Sequence, residues 1–133
     1  MLNKFTRRRG GFTLVEIMIV VAIIALLAAI AVPGFLRARK RSQASRVVND
    51  LRLIDSAVDQ YAIENNKSAG DAITWTQVRS YLKTGTNLEL SGGNDFLGNS
   101  FGNFSVDAIP RVPTASYNVL SDVAPGPFWS PFK

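Results

Sequence analysis

Cysteine and histidine, two residue types that often carry enzyme chemistry, are both absent from this chain of 133 residues. Disulfides, Cys/His zinc sites, thiol nucleophiles and imidazole bases are therefore excluded. The one chemically unusual group is the carboxylate of Glu16, which lies near the start of a long apolar run. A charge in such a place is costly unless something compensates it. We predict no catalytic residue and ask what Glu16 pairs with.

Two explanations of Glu16 follow from its position. Near a membrane interface the carboxylate can reach water, and near a helix N-terminus it gains from the helix dipole. Alternatively, a cut between Gly11 and Phe12 would create an α-amino group one helical turn away, and the two charges would attract strongly in lipid. Gly10 and Gly11 suit such a cut because glycine opposes helix continuation, although they also suit a plain linker. The residues alone leave both explanations open.

The net charge of +5 is concentrated around the apolar run. Eight of the fifteen basic residues flank it, four on each side: Lys4, Arg7, Arg8, Arg9, Arg37, Arg39, Lys40 and Arg41. From residue 42 onward, seven basic residues face nine acidic ones, a net charge of −2. The globular part is therefore not basic, and no nucleic-acid partner is indicated.

The apolar run is long enough to cross a membrane. Every residue from Ile17 to Val32 is apolar, and at 1.5 Å per residue residues 12–36 would span roughly 37 Å against a bilayer core of about 30 Å. No polar stripe recurs along it, which favours lipid or the centre of a helical assembly. The flanking charges are too evenly divided to predict orientation. A secretory signal peptide is an alternative, because Ala29, Ile30 and Ala31 match its cleavage pattern.

Beyond the run, Pro33 and Gly34 predict a bend or a loosened turn, since proline removes a backbone donor and clashes with the preceding turn. An amphipathic helix follows, to about Asn65. Its predicted buried stripe has three- and four-residue spacing: Ala44, Val47, Val48, Leu51, Ile54, Val58, Tyr61 and Ala62.

The remainder of the chain predicts a small, turn-rich domain. Residues 65–71 break the long helix, and Thr74 opens a short helix through Leu82, closed by Gly85. Three short β-like segments follow, Asn87–Leu90, Phe101–Val106 and Ser116–Leu120. The predicted fold class is α+β, with a small antiparallel sheet packed on the C-terminal half of the long helix.

The residues from Arg9 to Pro33 resemble the N-terminus of type IV pilins and type II secretion pseudopilins. The resemblance implies that prepilin peptidase cuts after Gly11 and methylates Phe12, and that Glu16 registers subunits during assembly. It also implies that the helix bends at Pro33 and Gly34. The implied fold is pilin-like.

The resemblance also implies the organisation of the chain. Residues 1–11 would be a basic leader, 12–36 a transmembrane and assembly helix, 37–66 its amphipathic half, and 67–133 a C-terminal domain. The leader would stay in the cytoplasm and the domain would lie in the periplasm, anchored by one pass through the inner membrane. The implied partners are identical subunits, prepilin peptidase, the membrane and an inner-membrane assembly platform.

The predicted function is a filament subunit rather than an enzyme, with a type II secretion pseudopilin favoured. A type IV pilin for adhesion, motility or DNA uptake is the alternative, and an exported binding domain is a third. Residues 95–101 are similar to a turn of major pseudopilins, although both of its prolines are missing. No cofactor is expected. The resemblance to major pseudopilins, in which a C-terminal loop often binds calcium, makes calcium the one candidate, although the residues also fit plain turn geometry. The oxygen ligands would be Asn94, Asp95, Asn99, Asp107 and Asp122. The aromatic and proline-rich tail, residues 125–133, would pack back on the domain or offer a surface to a partner.

Overall fold

One long helix dominates the computed structural model, which describes residues 10–133. This helix, α1, spans Leu14–Glu64, a length of 51 residues. The chain divides into two units, Met1–Leu36 and Arg37–Lys133, so that the first part of α1 belongs to one unit and the remainder to the other. Residues 1–9, which hold most of the predicted leader, lie outside the described residues.

In the first unit, α1 is apolar and exposed on every face. None of its residues from Leu14 to Leu36 is buried or half-buried. The helix runs without a break through Pro33 and Gly34, and a bend at these two residues stays a prediction. A helix that is apolar all round requires lipid or other helices around it.

In the second unit, α1 buries one face. Its fully or nearly fully buried residues are Ala44, Val47, Val48, Leu51, Ile54, Ala57, Val58 and Ala62. The predicted stripe is thereby confirmed, with Tyr61 half-buried at its end and Ala57 as an addition. The three- and four-residue spacing places these side chains on one side of the helix, where the C-terminal domain covers them.

The predicted break after residue 64 is confirmed, and its geometry explains it. Asn66 adopts a left-handed backbone conformation with φ of 50°. The N–H of Lys67 then donates to the carbonyl of Ala62 at 2.9 Å, and the N–H of Asn66 donates to that of Ile63 at 3.5 Å. This pair of bonds closes a helix C-terminus, and asparagine is, after glycine, the residue that tolerates the required conformation best.

The sheet has two short antiparallel strands, β1 at Ala72–Ile73 and β2 at Phe104–Ser105. Ala72 pairs with Ser105 and Ile73 with Phe104. Ile73 and Phe104 join the same buried cluster as the α1 stripe. The predicted α+β class, with a long helix and a small antiparallel sheet, is confirmed. In the described part of the chain, three short α-helices, α2 at Trp75–Arg79, α3 at Asn87–Leu90 and α4 at Thr114–Leu120, and a 3₁₀ helix at Gly126–Trp129 complete the fold.

Two of the three predicted strand segments are wrong, because they are helices. At Asn87–Leu90, the preceding Thr86 caps α3 by accepting a bond from the N–H of Glu89 at 3.3 Å. At Ser116–Leu120, the residues form most of α4 and bury Ser116 and Leu120, which are four positions apart. Alternating polar and apolar residues over so few positions fit a one-turn or two-turn helix as well as a strand. In the third predicted segment, Phe101–Val106, only the two residues of β2 form a strand.

The helix predicted from Thr74 exists but ends earlier, at Arg79 rather than Leu82. Its predicted cap is present: the backbone N–H of Thr74 donates to the side-chain oxygen of Gln77 at 2.9 Å. The amide of Gln77 also donates to the hydroxyl of Tyr61 at 2.7 Å. This bond ties the start of α2 to α1.

The C-terminal tail packs back on the domain, as one of the two predicted arrangements has it. Trp129 is fully buried, and its indole N–H donates to the carbonyl of Ala124 at 2.8 Å. Phe132 is also buried, and its carbonyl accepts a bond from the N–H of Val112 at 2.8 Å. The tail is therefore part of the hydrophobic core.

Candidate processing and assembly site

The predicted cleavage site lies in an exposed segment immediately before α1. Gly10, Gly11 and Phe12 are exposed and have no helical or strand structure, and 86% of Phe12 is accessible. A Cβ atom added to Gly10 or Gly11 would meet nothing within 4 Å. Local packing therefore imposes no need for glycine at either position. A need for it would have to come from whatever binds this segment.

Glu16 closes a capping box with Thr13 at the start of α1. The backbone N–H of Thr13 donates to Oε2 of Glu16 at 3.0 Å, and the N–H of Glu16 donates to Oγ1 of Thr13 at 3.2 Å. These bonds satisfy two of the backbone donors that the first turn of a helix leaves without partners. In the uncut chain, Glu16 thus has a local role in addition to any role in assembly.

The capping box was missed by the sequence reasoning, although its signal is present. Thr13 and Glu16 have the threonine-to-glutamate spacing that marks a helix start, directly before the apolar run. Thr74 and Gln77 have the same spacing at the start of α2. The helix-terminus explanation of this carboxylate therefore gains a specific contact.

The apolar part of α1 has the length and composition of a membrane span. An 18-residue window within it reaches a mean hydropathy of 3.0, and none of that window is buried. Among the described residues, α1 is the one helix that is both long enough and apolar enough to cross a membrane. Within the described residues nothing covers this surface, which fits a membrane-anchored helix.

Asp95 and Asn99, two of the candidate calcium ligands, lie together in one turn, in which Asp95 is buried and Asn99 is half-buried. Oδ1 of Asp95 accepts bonds from the N–H groups of Leu97 and Asn99, both at 2.9 Å. Its Oδ2 accepts a bond from the hydroxyl of Ser116, and the amide of Asn99 donates to that same hydroxyl at 2.8 Å. The side chains of this turn are thus used to hold α4, in which Ser116 is fully buried.

The other three candidate ligands, including Asn94 directly before Asp95, make different contacts. Asp122 forms an ion pair with Lys40 at 2.9 Å, and this contact lowers the pKa of Asp122. Asp107 is exposed, with φ of 61°, and Asn94 donates through its side chain to the carbonyl of Ser91 at 3.3 Å. In the part of the chain that the structure describes, no three acidic side chains gather closely enough to hold a metal ion. The five residues are not brought together.

Glu89 and Asp50 are two titratable groups of the domain whose pKa values are shifted by their surroundings. The hydrogen bond from Arg79, at 2.6 Å, and one from the N–H of Gly85, at 3.3 Å, lower the pKa of Glu89. Burial raises the pKa of Asp50, although the charge of Arg46 opposes this shift. These groups are spread over the domain and form no acid–base pair. The contacts of Glu89 tie α3 to Arg79 at the end of α2 and to the backbone at Gly85.

Comparison with known families settles what the N-terminal segment is. The family described as "Prokaryotic N-terminal methylation motif" matches residues 6–32, which include the exposed junction, the capping box and most of the apolar run. Residues 6–32 carry a prokaryotic N-terminal methylation motif. We refer to them below as the methylation segment.

Relatives of the chain include pseudopilins and pilins, as the resemblance predicts. It is 34% identical over 61 residues to a type II secretion system core protein G of Aeromonas hydrophila, covering 46% of this chain and 43% of that protein. It is 41% identical over 66 residues to a type IV major pilin of Myxococcus xanthus, covering 50% of this chain and 30% of the pilin. It is 43% identical over 67 residues to a type IV major fimbrial protein of Dichelobacter nodosus, with 50% and 42% covered.

The similarity covers less than half the length of each of these relatives. None of their names denotes an enzyme; they denote a secretion-system component, a pilin and a fimbrial protein. No solved structure matches the chain. The methylation segment is thus shown by comparison, whereas the C-terminal domain has to be interpreted from its own geometry.

Proposed function

We propose that this chain is the precursor of a structural subunit of a type IV pilus-like filament, favouring a type II secretion pseudopilus. The observation that carries the proposal is the junction itself. An exposed Gly11–Phe12 bond lies two residues before a helix whose apolar surface is exposed on every side. Such a surface calls for a bilayer first and identical helices afterwards. The matched methylation motif supports the same order of events.

In the proposed pathway, prepilin peptidase cuts between Gly11 and Phe12 and methylates the new amino group of Phe12. After the cut, the charged amino group of Phe12 lies one residue before Thr13, next to the capping box. Glu16 can attract the amine of its own chain or that of an adjacent subunit. Neutralising both charges away from water stabilises the assembled filament, since each charge alone would be costly in an apolar environment.

The proposed location follows from the span. Before assembly, the methylation segment would cross the inner membrane once, with the basic leader in the cytoplasm and the C-terminal domain in the periplasm. Burial of the apolar helices against one another would then replace lipid, and an inner-membrane assembly platform would extract the subunit into the filament. A reporter enzyme fused after Lys133, active only outside the cytoplasm, tests this orientation.

An extended type IV pilus for adhesion, motility or DNA uptake is the second candidate, and the identities give it support. The matched parts of the Myxococcus and Dichelobacter proteins are 41% and 43% identical, against 34% for the Aeromonas secretion protein. The absence of cysteine supports the pseudopilus, because many type IV pilins close a C-terminal loop with a disulfide. A host strain lacking its own major pseudopilin separates the two: a pseudopilin should restore protein secretion, and a pilin should not.

Mass spectrometry of the chain from cells with and without prepilin peptidase tests the processing step. The expected product begins at Phe12 and is one methyl group heavier than the cut chain. Gly11→Val should block the cut without disturbing the fold, because a side chain at this position meets open space. Gly10→Val is the matched control. A product that starts near Val32, or an uncut chain in peptidase-positive cells, would contradict the proposal and favour an exported or anchored binding domain.

We also propose that the folded domain requires no cofactor. The carboxylate of Asp95 already accepts three hydrogen bonds, and Asp122 is paired with Lys40. Chelation with EDTA should therefore leave the Tm of the domain unchanged, and added calcium should not raise it. A calcium-dependent rise in Tm that Asp95→Ala or Asp122→Asn removes would instead support the calcium site.

A further inference from the structure

A cleft of about 410 Å³ lies beside the start of the second unit, lined by Arg37, Ala38, Arg41, Asp122 and Val123. Arg37 and Arg41 are four positions apart on α1, and side chains at this spacing share one side of a helix. Both arginines are exposed. Two guanidinium groups at one cleft make a site for an anion with several oxygens, since each presents a planar fork of N–H donors.

The carboxylate in the cleft does not cancel these charges. Oδ2 of Asp122 is held by the ammonium group of Lys40 at 2.9 Å, which lowers the pKa of Asp122 and compensates its charge. Arg41 lies over the ring of Phe128, with its guanidinium carbon 5.9 Å from the ring centre. A contact of this kind positions a guanidinium group without engaging a carboxylate.

Neither arginine has an acidic partner of its own. Within the described residues, the ion pairs are Lys40 with Asp122 and Arg79 with Glu89. Residues 1–9, which lie outside that part, contain no aspartate or glutamate. A nearby exposed residue, Arg39, adds a further positive charge without a carboxylate partner. The cleft therefore carries an uncompensated positive charge.

The place of this charge in the sequence identifies the kind of ligand. Arg37 directly follows Leu36, the last residue of the apolar part of α1, and Arg41 follows one helical turn later. If that part crosses a bilayer, its end lies at the depth of the lipid phosphates. Basic residues just beyond a span attract anionic headgroups, each by roughly 1 kcal/mol.

We propose that Arg37 and Arg41 bind the phosphate of an anionic phospholipid, with Lys40 holding the opposite wall of the cleft through Asp122. The site would act before assembly, holding the C-terminal domain against the membrane surface, and the headgroup would be released when the subunit leaves the bilayer. This inference rests on the membrane anchoring described under the proposed function.

The test uses the full chain in neutral detergent micelles, with native mass spectrometry to count bound lipid. Phosphatidylglycerol and phosphatidylcholine are titrated separately. We expect the chain to prefer phosphatidylglycerol by about 25-fold, and each arginine removed to reduce this preference by about five-fold. Arg37→Gln/Arg41→Gln should therefore bind the two lipids almost equally.

The matched control is Arg46→Gln/Arg52→Gln, which removes the same charge from exposed positions further along α1. It should retain the preference. Arg37→Gln alone guards against a folding defect in the double variant, because Arg37 has no ion-pair partner to lose within the described residues. Its expected effect is the single five-fold step, with an unchanged Tm.

Four results would overturn the site. The first is equal binding of both lipids by the unmodified chain, and the second is an equal loss of lipid preference in the control variant. The third is displacement of the lipid by millimolar inorganic phosphate. The fourth is that Arg37→Gln/Arg41→Gln loses filaments in cells but keeps its lipid preference. The third would point to a free anion, and the fourth to an acidic surface of a neighbouring copy.

Insertion of the chain into nanodiscs made of phosphatidylcholine alone tests whether the apolar helix spans a membrane. A chain that fails to insert contradicts the anchoring as well, whereas one that inserts without preferring phosphatidylglycerol contradicts only the lipid site.

Discussion

The two parts of α1 differ in how their apolar side chains are covered. From Leu14 to Leu36 every residue is exposed, although nearly all are apolar, whereas from Ala44 to Ala62 a narrow apolar stripe is buried under the domain. Both parts belong to one helix. The second part meets its requirement within the chain, so it can be stable in a single subunit. The first part is not covered by any of the described residues, and in the proposed function its apolar surface drives filament assembly.

The sharpest way to test this comparison is at Glu16, which has both a capping and a charge role. Glu16→Gln keeps an acceptor that can cap Thr13 but removes the charge, whereas Thr13→Ala removes the cap and keeps the charge. We expect Glu16→Gln to insert and be processed normally yet form no filaments, and Thr13→Ala to assemble. Electron microscopy and methylation-sensitive mass spectrometry measure the two steps.

The opposite pattern would assign Glu16 to the cap alone. Filaments from Glu16→Gln, together with none from Thr13→Ala, would mean that the first turn of α1, and not charge pairing between subunits, limits assembly. Glu16→Ala removes both roles and should therefore resemble whichever single variant fails.

The next largest effect is expected in the buried stripe. Leu51 is fully buried, whereas Leu53 on the same helix is 46% exposed. Leu51→Ala should lower the free energy of unfolding of the domain by about 2–5 kcal/mol, because it leaves a cavity in a packed core. Leu53→Ala is the matched control and should cost well under about 1 kcal/mol. Urea unfolding of the full chain in neutral detergent, followed by tryptophan fluorescence, measures both.

A similar replacement in the exposed part, Leu27→Ala, sharpens the contrast. It should leave unfolding of the domain unaltered, since Leu27 is 61% exposed and lies in the other unit. If Leu27→Ala destabilised the domain as much as Leu51→Ala does, the division of α1 into two kinds of surface would be wrong.

The cover over the stripe depends in turn on the buried contact between Asp95 and Ser116. Asp95→Ala leaves the N–H groups of Leu97 and Asn99 without their acceptor, and we expect a loss of about 1–3 kcal/mol in the free energy of unfolding. Asp95→Asn should cost less, because an amide oxygen can still accept from those two groups. Equal losses in the two variants would show that the negative charge, rather than the pattern of acceptors, is required.

The smallest expected effect is a pH dependence at Glu89. Its pKa is lowered in the folded chain by Arg79 and the N–H of Gly85, so the unfolded chain binds more protons between the folded pKa and the ordinary value near 4.5. The stabilisation is therefore present at pH 7 and is lost as the pH falls through this window. The Tm difference between Glu89 and Glu89→Gln chains should shrink from pH 7 to pH 3. A constant difference would contradict the assignment.

The local features of the chain were readable from its sequence, because neighbouring residues determine them. The apolar run, the buried stripe of α1, the break after residue 64 and the cap at Thr74 each depend on spacings of a few residues. The capping box at Thr13 and the N-cap at Thr86 are equally local, and they indicate a helix-start role for Glu16 and a helix rather than a strand at Asn87–Leu90.

Only the tertiary structure decided how the small elements of the domain associate. β1 and β2 have two residues each, too few for an alternating pattern to mark them, and each exists because the other lies beside it. Asp95 meets Ser116 from 21 positions away, and Lys40 meets Asp122 across 82. Such contacts leave no periodic signal, since they depend on where the folded chain returns. The sequence alone therefore determined a helix with an apolar surface to cover and a junction before it, and the tertiary structure decided which part of that helix the chain covers by itself.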